Sequence, residues 1–241
     1  MNILVLFGSS SDASVYEPLC DKLRNAGHNV DFEVISAHRN PVRLGERLAE
    51  DNFDAVVAGA GLSAHLPGVV ASKIPQPVFG VPVAGQFDGL DSVMSIQMMP
   101  RGVPVLCCGT TQEDTIISLL AQVQGYSWDK SLDVVVKEEY QKTDFYQKEF
   151  GRLSKYAQDN GIALSVQNSV RDGVPAIAFV HKEEEISNAP FVISVPLLDG
   201  ATRKLPQTAL TCFSWTQKGA IWAGVNNSIN ALIFFTKLLG A

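Results

Sequence analysis

The sequence predicts an α/β protein built on a parallel sheet wrapped by helices on both faces, and three observations predict it. Short apolar runs rich in β-branched residues alternate with amphipathic stretches along the chain, the rhythm of strand–helix–strand units. Three of those runs end in polar loops, where open parallel sheets carry their ligands. The rhythm then begins again near residue 132. The chain therefore reads as two tandem units, 1–127 and 128–241, the second a diverged copy of the first.

The first strand is Ile3-Leu4-Val5-Leu6-Phe7. The serines and aspartate of 9–12 cap a helix whose apolar face is Tyr16, Leu19, Cys20 and Leu23, with Gly27 ending it. Val30, Phe32 and Val34 alternate through a second strand, 29–35. Asn40-Pro41 supplies a cap and a first helical residue for a helix through Leu44 and Leu48. Ala55-Val56-Val57-Ala58 is strand three, and a glycine-rich run, 58–68, enters a short helix ending near Ser72. Strand four is 78–81, followed by a helix carrying Leu90, Val93, Met94 and Gln97; strand five is 102–107 and its helix 113–124.

The second half offers strands at 134–136, 162–166, 176–180 and 191–195, with a helix at 144–158 closed by Asn160-Gly161. Val192-Ile193-Ser194-Val195-Pro196 parallels Val78-Phe79-Gly80-Val81-Pro82, and the next apolar strands end at Gly224 and Gly109, almost equally far downstream. The polar loops are not repeated. Where the first half has Gly8-Ser9-Ser10-Ser11-Asp12, the second has Glu139-Tyr140-Gln141-Lys142-Thr143, and its third strand leads to Val180-His181-Lys182-Glu183-Glu184-Glu185. The chemistry belongs to the first half, and the second supports structure.

Composition narrows the partners. With 46% hydrophobic and 18% charged residues among 241, the chain folds around a core. A net charge of −6 leaves no electrostatic footprint for nucleic acid, so a phosphate would have to be held by loops and a few cations. No run approaches the ~18 apolar residues of a membrane span, and the N-terminal run is short and lacks a basic leader. Cys20, Cys107, Cys108 and Cys212 show no C-x-x-C spacing and read as free thiols in the cytoplasm.

Three loops carry the candidate site. In Gly8-Ser9-Ser10-Ser11-Asp12, backbone N–H groups and hydroxyls can hold a phosphate, whereas Asp12 suits a sugar hydroxyl or an amine. It lacks the Gly-Lys-Ser/Thr ending of a Walker loop. In Ser36-Ala37-His38-Arg39, the guanidinium matches a phosphate or carboxylate, and the imidazole can give and take a proton near neutrality. In Ala58-Gly59-Ala60-Gly61-Leu62-Ser63-Ala64-His65-Leu66-Pro67-Gly68, glycines let a ligand approach the backbone, and His65 either acts on it or orients the loop. A zinc site on His38 and His65 would need further ligands, with Asp12 the one nearby candidate, and no metal is expected. His28 and His181 read as surface residues; Met94, Met98 and Met99 read as core or subunit-contact filler.

Together these motifs resemble the PurE family, carboxyaminoimidazole ribonucleotide mutases of purine biosynthesis. Gly-Ser-x-Ser-Asp, Ser-Ala-His-Arg, Ala-Gly-Ala-Gly-x-x-Ala-His-Leu-Pro-Gly, Val-Phe-Gly-Val-Pro-Val, Gly-Leu-Asp-Ser-Val-x-Ser-Ile and Met-Pro-Arg-Gly-Val-Pro-Val occur in order within residues 1–125. The resemblance implies a flavodoxin-like three-layer sheet, no cofactor, no metal, and an octamer of small subunits. It implies that Ser9, Ser11 and Asp12 bind the ribose-phosphate end, that His38 carries the proton and that Arg39 binds phosphate. Ser36 would also bind substrate, and Gly59, Ala60, Gly61, Ser63 and Leu66 would line the base and carboxylate site, with His65 within it as a second catalytic candidate. Leu62 is bulkier than the small residue usual in the family, and Phe87 stands where smaller residues are common. The expected substrate is a small ribonucleotide. If each chain holds two PurE-like units, four chains would fill the eight places of the family's octamer. Two other readings are direct carboxylation by free carbon dioxide and a catalytically silent nucleotide-binding or scaffold protein.

Overall fold

The computed structural model describes residues 1–240. In the first half the elements run β1 (Asn2–Phe7), α1 (Ala13–Asn25), β2 (Asn29–Val34), α2 (Pro41–Ala49), β3 (Ala55–Ala60), α3 (Leu66–Ala71), β4 (Val78–Pro82), α4 (Leu90–Gln97), β5 (Leu106–Cys107) and α5 (Asp114–Val123). The second half follows with β6 (Ser131–Val135), α6 (Asp144–Asp159), β7 (Ala163–Gln167), β8 (Ala176–Val180), β9 (Val192–Pro196), α7 (Gln207–Thr216), β10 (Ile221–Trp222) and α8 (Ser228–Leu239). All ten strands form one sheet, ordered β2-β1-β3-β4-β5-β10-β9-β8-β6-β7. Read from its own first strand, each half has the flavodoxin-like order 2-1-3-4-5. Every neighbouring pair is parallel except the join, where Trp222 of β10 lies antiparallel to Cys107 of β5.

Alternation along the strands explains the three layers. Ile3, Val5 and Phe7 of β1 face α1 and α5 in a core that continues through Leu132, Val134, Ile177 and Ile193 to α8. Leu4 and Leu6 face the other way, with Leu44 of α2, Val70 of α3 and Val93 of α4. One core thus runs through both halves, and at its centre Phe79 of β4 meets Phe234 of α8 edge-on, ring centroids 4.9 Å apart.

The join is also tied by polar contacts. The Asn230 amide of α8 donates to the carbonyls of Pro100 (3.0 Å) and Val103 (3.2 Å), and its oxygen accepts from the Gly102 N–H (2.9 Å). This corrects the expected strand 102–107, of which only Leu106–Cys107 pairs in the sheet. Pro100 and Pro104 cannot donate to a ladder, and a side chain from the other half satisfies the backbone between them. The packing is reciprocal too. A Cβ on Gly109 would lie 2.1 Å from the carbonyl oxygen of Thr216 in α7, and one on Gly224 would lie 2.4 Å from that of Gln97 in α4.

Two further expectations need correction. His28 is buried, 5% exposed, with neither ring nitrogen partnered. Burial, helped by the N-terminal ammonium, pushes its pKa down. His181 is half-buried and fills the second half's counterpart of the site, as described below.

The second half omits two elements. No helix separates β7 from β8, and only a short 3-10 turn, Glu183–Glu185, lies between β8 and β9. The missing pieces correspond to α2 and α3, which in the first half follow the two histidine-bearing loops.

Candidate functional site

The three polar loops leave the carboxyl ends of β1, β2 and β3, which are neighbours in the sheet. Hydrogen bonds carry the ladder past the strand ends: Ile35 N–H donates to Phe7 O (2.9 Å) and Gly8 N–H to Gly59 O (3.1 Å). Gly59 is required beneath the site, because a Cβ there would fall 2.2 Å from the Phe7 ring. The loops consequently start from a rigid floor.

Each loop is then fixed locally. Ser9 Oγ accepts from the Ser11 N–H (3.2 Å) and lies 2.8 Å from Ser11 Oγ, which donates to Asp12 Oδ1 at 3.0 Å. This is the side-chain-to-backbone turn expected of serines ahead of a helix. In the second loop, Ser36 Oγ accepts the Arg39 N–H at 3.3 Å, and Ser36 O accepts the Asn40 N–H at 2.9 Å. Arg39 reaches across to donate through Nη2 to Gly8 O (3.0 Å), joining the first two loops. The helix behind it, α2, is anchored by Arg47, whose fully buried guanidinium pairs with Asp31, with Glu33 at 3.0 Å and with Glu50 at 3.1 Å.

These loops enclose a cleft of about 390 Å³. Of the residues expected from the sequence, Ser9, Ser11, Asp12, Ser36, His38, Arg39, Ala60, Gly61, His65 and Leu66 line it. The His38 and His65 rings meet edge to face, centroids 5.0 Å apart and planes at 64°. Among the described residues, neither ring makes a hydrogen bond within the protein, so their nitrogens are available to a ligand. Gly59 and Ser63 are not among the lining residues: Gly59 lies under Phe7, and the Ser63 N–H donates to Asp91 Oδ2 at 2.8 Å. Leu62, the bulky departure from the family pattern, also lines the cleft, as do Gly8 and Ala37, which the sequence did not single out. Gly8 and Ala37 were legible only as members of their motifs, while Leu62 stands 70% exposed at the rim.

Chemically, the cleft combines one permanent cation, one carboxylate, hydroxyls and two imidazoles. The cation and hydroxyls suit a phosphate monoester, Asp12 suits a sugar hydroxyl, and the histidines suit proton transfer. No group of three or more His, Cys, Asp or Glu side chains gathers to hold a metal ion among the described residues. No helix among them is long and apolar enough to cross a membrane.

The corresponding place in the second half is filled. The Tyr140 and His181 rings lie 4.7 Å apart, and Phe145 stacks on His181 at 5.4 Å. His181 Nδ1 bonds Leu197 O at 2.8 Å, and Lys182 Nζ pairs with Glu139 at 3.2 Å. At this end of the second half's strands, Tyr140, Phe145 and His181 pack on one another, whereas the first half has an open cleft.

Comparison with known proteins points the same way. The model of the family described as AIR carboxylase matches residues 2–143. The N5-carboxyaminoimidazole ribonucleotide mutase of Methanocaldococcus jannaschii is 38% identical over 121 residues, covering 50% of this chain and 77% of that protein. The mutase of Mycobacterium leprae is 49% identical over 105 residues, covering 42% and 61%. The phosphoribosylaminoimidazole carboxylase of Saccharomyces cerevisiae is 38% identical over 131 residues, or 53% of this chain, but the match spans only 23% of that longer protein.

Proposed function

The chain belongs to the AIR carboxylase family, and from that premise we propose that it is a carboxyaminoimidazole ribonucleotide mutase of purine biosynthesis. It would move a carboxylate from the carbamate nitrogen to the imidazole ring carbon. The observation that carries the reading is the meeting of His38 and His65 in one cleft with Arg39, Ser9, Ser11 and Asp12.

The residues divide the work. Arg39 and the hydroxyls of Ser9 and Ser11 hold the phosphate, and Asp12 accepts from the ribose. Protonated His38 gives its proton to the carbamate nitrogen; the C–N bond breaks and carbon dioxide is released into the cleft. The ring carbon attacks the trapped gas and forms the C–C bond. Neutral His38 then removes the ring proton and is restored. No net proton is consumed, so one imidazole suffices. Rate comes mainly from keeping the carbon dioxide beside the ring, which the backbone of Ala60 and Gly61 and the flank of Leu66 are suited to do.

The test is a comparison of carboxylated product formed from the carbamate nucleotide with that formed from aminoimidazole ribonucleotide plus bicarbonate. Efficient use of the carbamate alone supports the mutase. Preference for the bicarbonate mixture makes the protein a carboxylase, the activity in the name of the yeast relative. Binding of the nucleotide with no product from either leaves a silent binding protein.

The same reading makes residues 128–241 a diverged copy of the catalytic unit, supported by the repeated 2-1-3-4-5 order and the filled second cleft. Four chains would then occupy the places of eight single units, giving a homotetramer in the cytoplasm, where four buried, unpaired cysteines remain reduced. Light scattering of the purified protein should give a particle of four chains, and a stable monomer would overturn the assembly.

A further inference from the structure

We infer that Asp91, in the first turn of α4, is a positioning residue for the proposed reaction: it tethers loop 61–65 in the shape that sets His65 against His38. The inference rests on the function proposed above and assigns a role to a side chain outside the cleft.

The loop passes from β3 to α3 in five residues, and its middle is under conformational constraint. Ser63 has φ +51°, in the left-handed region that residues bearing a Cβ adopt only when held there. Packing does not hold it, since Leu62, Ser63 and His65 are all exposed. What holds it is a single hydrogen bond, from the Ser63 N–H to Asp91 Oδ2 at 2.8 Å, with the added strength of an ionised acceptor. His65, two residues on, enters α3 beside the buried Ala64 and Leu66, so the tether and this anchor define its position from both sides.

Asp91 is itself firmly placed. Its carbonyl accepts the Ser95 hydroxyl at 2.7 Å, and the neighbouring Ser92 hydroxyl, fully buried, donates to Gly89 O (2.9 Å) and lies 3.2 Å from Val83 O. Ahead of it Phe87, Asp88 and Gly89 have φ of +53°, +56° and +85°. Three left-handed residues in succession reverse the chain after β4 and turn the start of α4 toward the β3 loop. Asp91 forms no ion pair among the described residues, so its carboxylate has no other evident task. The second half is an internal comparison: α7, the counterpart of α4, has no acid in its first turn, and no histidine-bearing loop leads there into a helix. The carboxylate is present only where there is such a loop to tether.

The experiment compares Asp91→Ala and Asp91→Asn with the native protein, in turnover of the carbamate nucleotide and in amide hydrogen exchange of segment 61–65. Asp91→Ala should lower kcat about a hundredfold, the cost of a misplacement on the order of 1 Å, with KM changed by no more than about threefold. Asp91→Asn, which keeps an oxygen acceptor in place, should recover to within about tenfold of native kcat. In Asp91→Ala the 61–65 amides should exchange about tenfold faster while β3 and β4 stay protected. Native kcat in Asp91→Ala, or unchanged exchange in 61–65, overturns the tether. Equal loss in both variants with slowed folding or a lost core would make Asp91 merely structural and overturn it too. If the native protein itself does not turn over the nucleotide, the functional reading fails instead, and the exchange data alone decide the tether.

Discussion

His38→Asn should abolish measurable turnover, by about two to four orders of magnitude as for loss of a general acid–base group, while the protein stays folded and still binds the nucleotide. The separation of effects follows from where His38 sits. It is exposed on a loop, lines the cleft and touches the His65 ring by its edge, but contributes to no core cluster and makes no side-chain hydrogen bond among the described residues. Its removal leaves the loop's own fastenings, Ser36 to Arg39 and Arg39 to Gly8, in place. Asparagine keeps size and polarity and cannot shuttle a proton near neutral pH. In the proposed mechanism one imidazole acts twice, first as acid and then as base, so both half-reactions stop together. The measurement is steady-state turnover beside nucleotide affinity by calorimetry. Activity within about tenfold of native would hand the proton to another group, with His65 the nearest alternative.

The sequence made the first half legible because its strands are short apolar runs with polar ends, and the loops between them carry side chains whose chemistry is recognisable in isolation. Ser36-Ala37-His38-Arg39 lines one side of the cleft, and Ala60, Gly61, Leu62, His65 and Leu66 of the 58–68 run line another. What stayed hidden depends on contacts far apart in the chain. Strand five looks six residues long until Asn230, more than a hundred residues away, takes over the backbone groups of Pro100, Gly102 and Val103. The join of the two halves is a single antiparallel residue pair, Trp222 with Cys107, which leaves no periodic trace. The direction of Ser63 follows from a carboxylate on α4, and nothing within its own loop announces it. His28 reads as a surface residue because a buried imidazole without partners breaks the rule by which polar side chains are placed outside.

Arg171→Ala should destabilise the protein by more than the loss of an exposed ion pair does, because it strips the counter-charge from a buried carboxylate. Asp133 is 1% exposed in the middle of β6, on the face that β1 fills with apolar side chains such as Leu4. Arg171 comes from the loop joining β7 to β8, where the first half has α2. Its guanidinium grips the carboxylate through two bonds of 2.6 Å, Nε to Oδ2 and Nη2 to Oδ1. One salt bridge and a loop thus cover a sheet surface that a helix covers elsewhere. The two partners are unequal: Arg171 is half-exposed and could be hydrated if left alone, whereas Asp133 could not. Asp133→Leu should accordingly cost less than Arg171→Ala, and the double variant Asp133→Leu/Arg171→Ala should regain most of the loss, since apolar replacement of a buried pair is often neutral. Denaturant unfolding of the three variants measures this ordering. A loss for Arg171→Ala no larger than that of an exposed pair would mean that water reaches Asp133 through the loop. The sheet face of the second half would then be held by the small cluster of Ala176, Ala178 and Val192 without help from the ion pair.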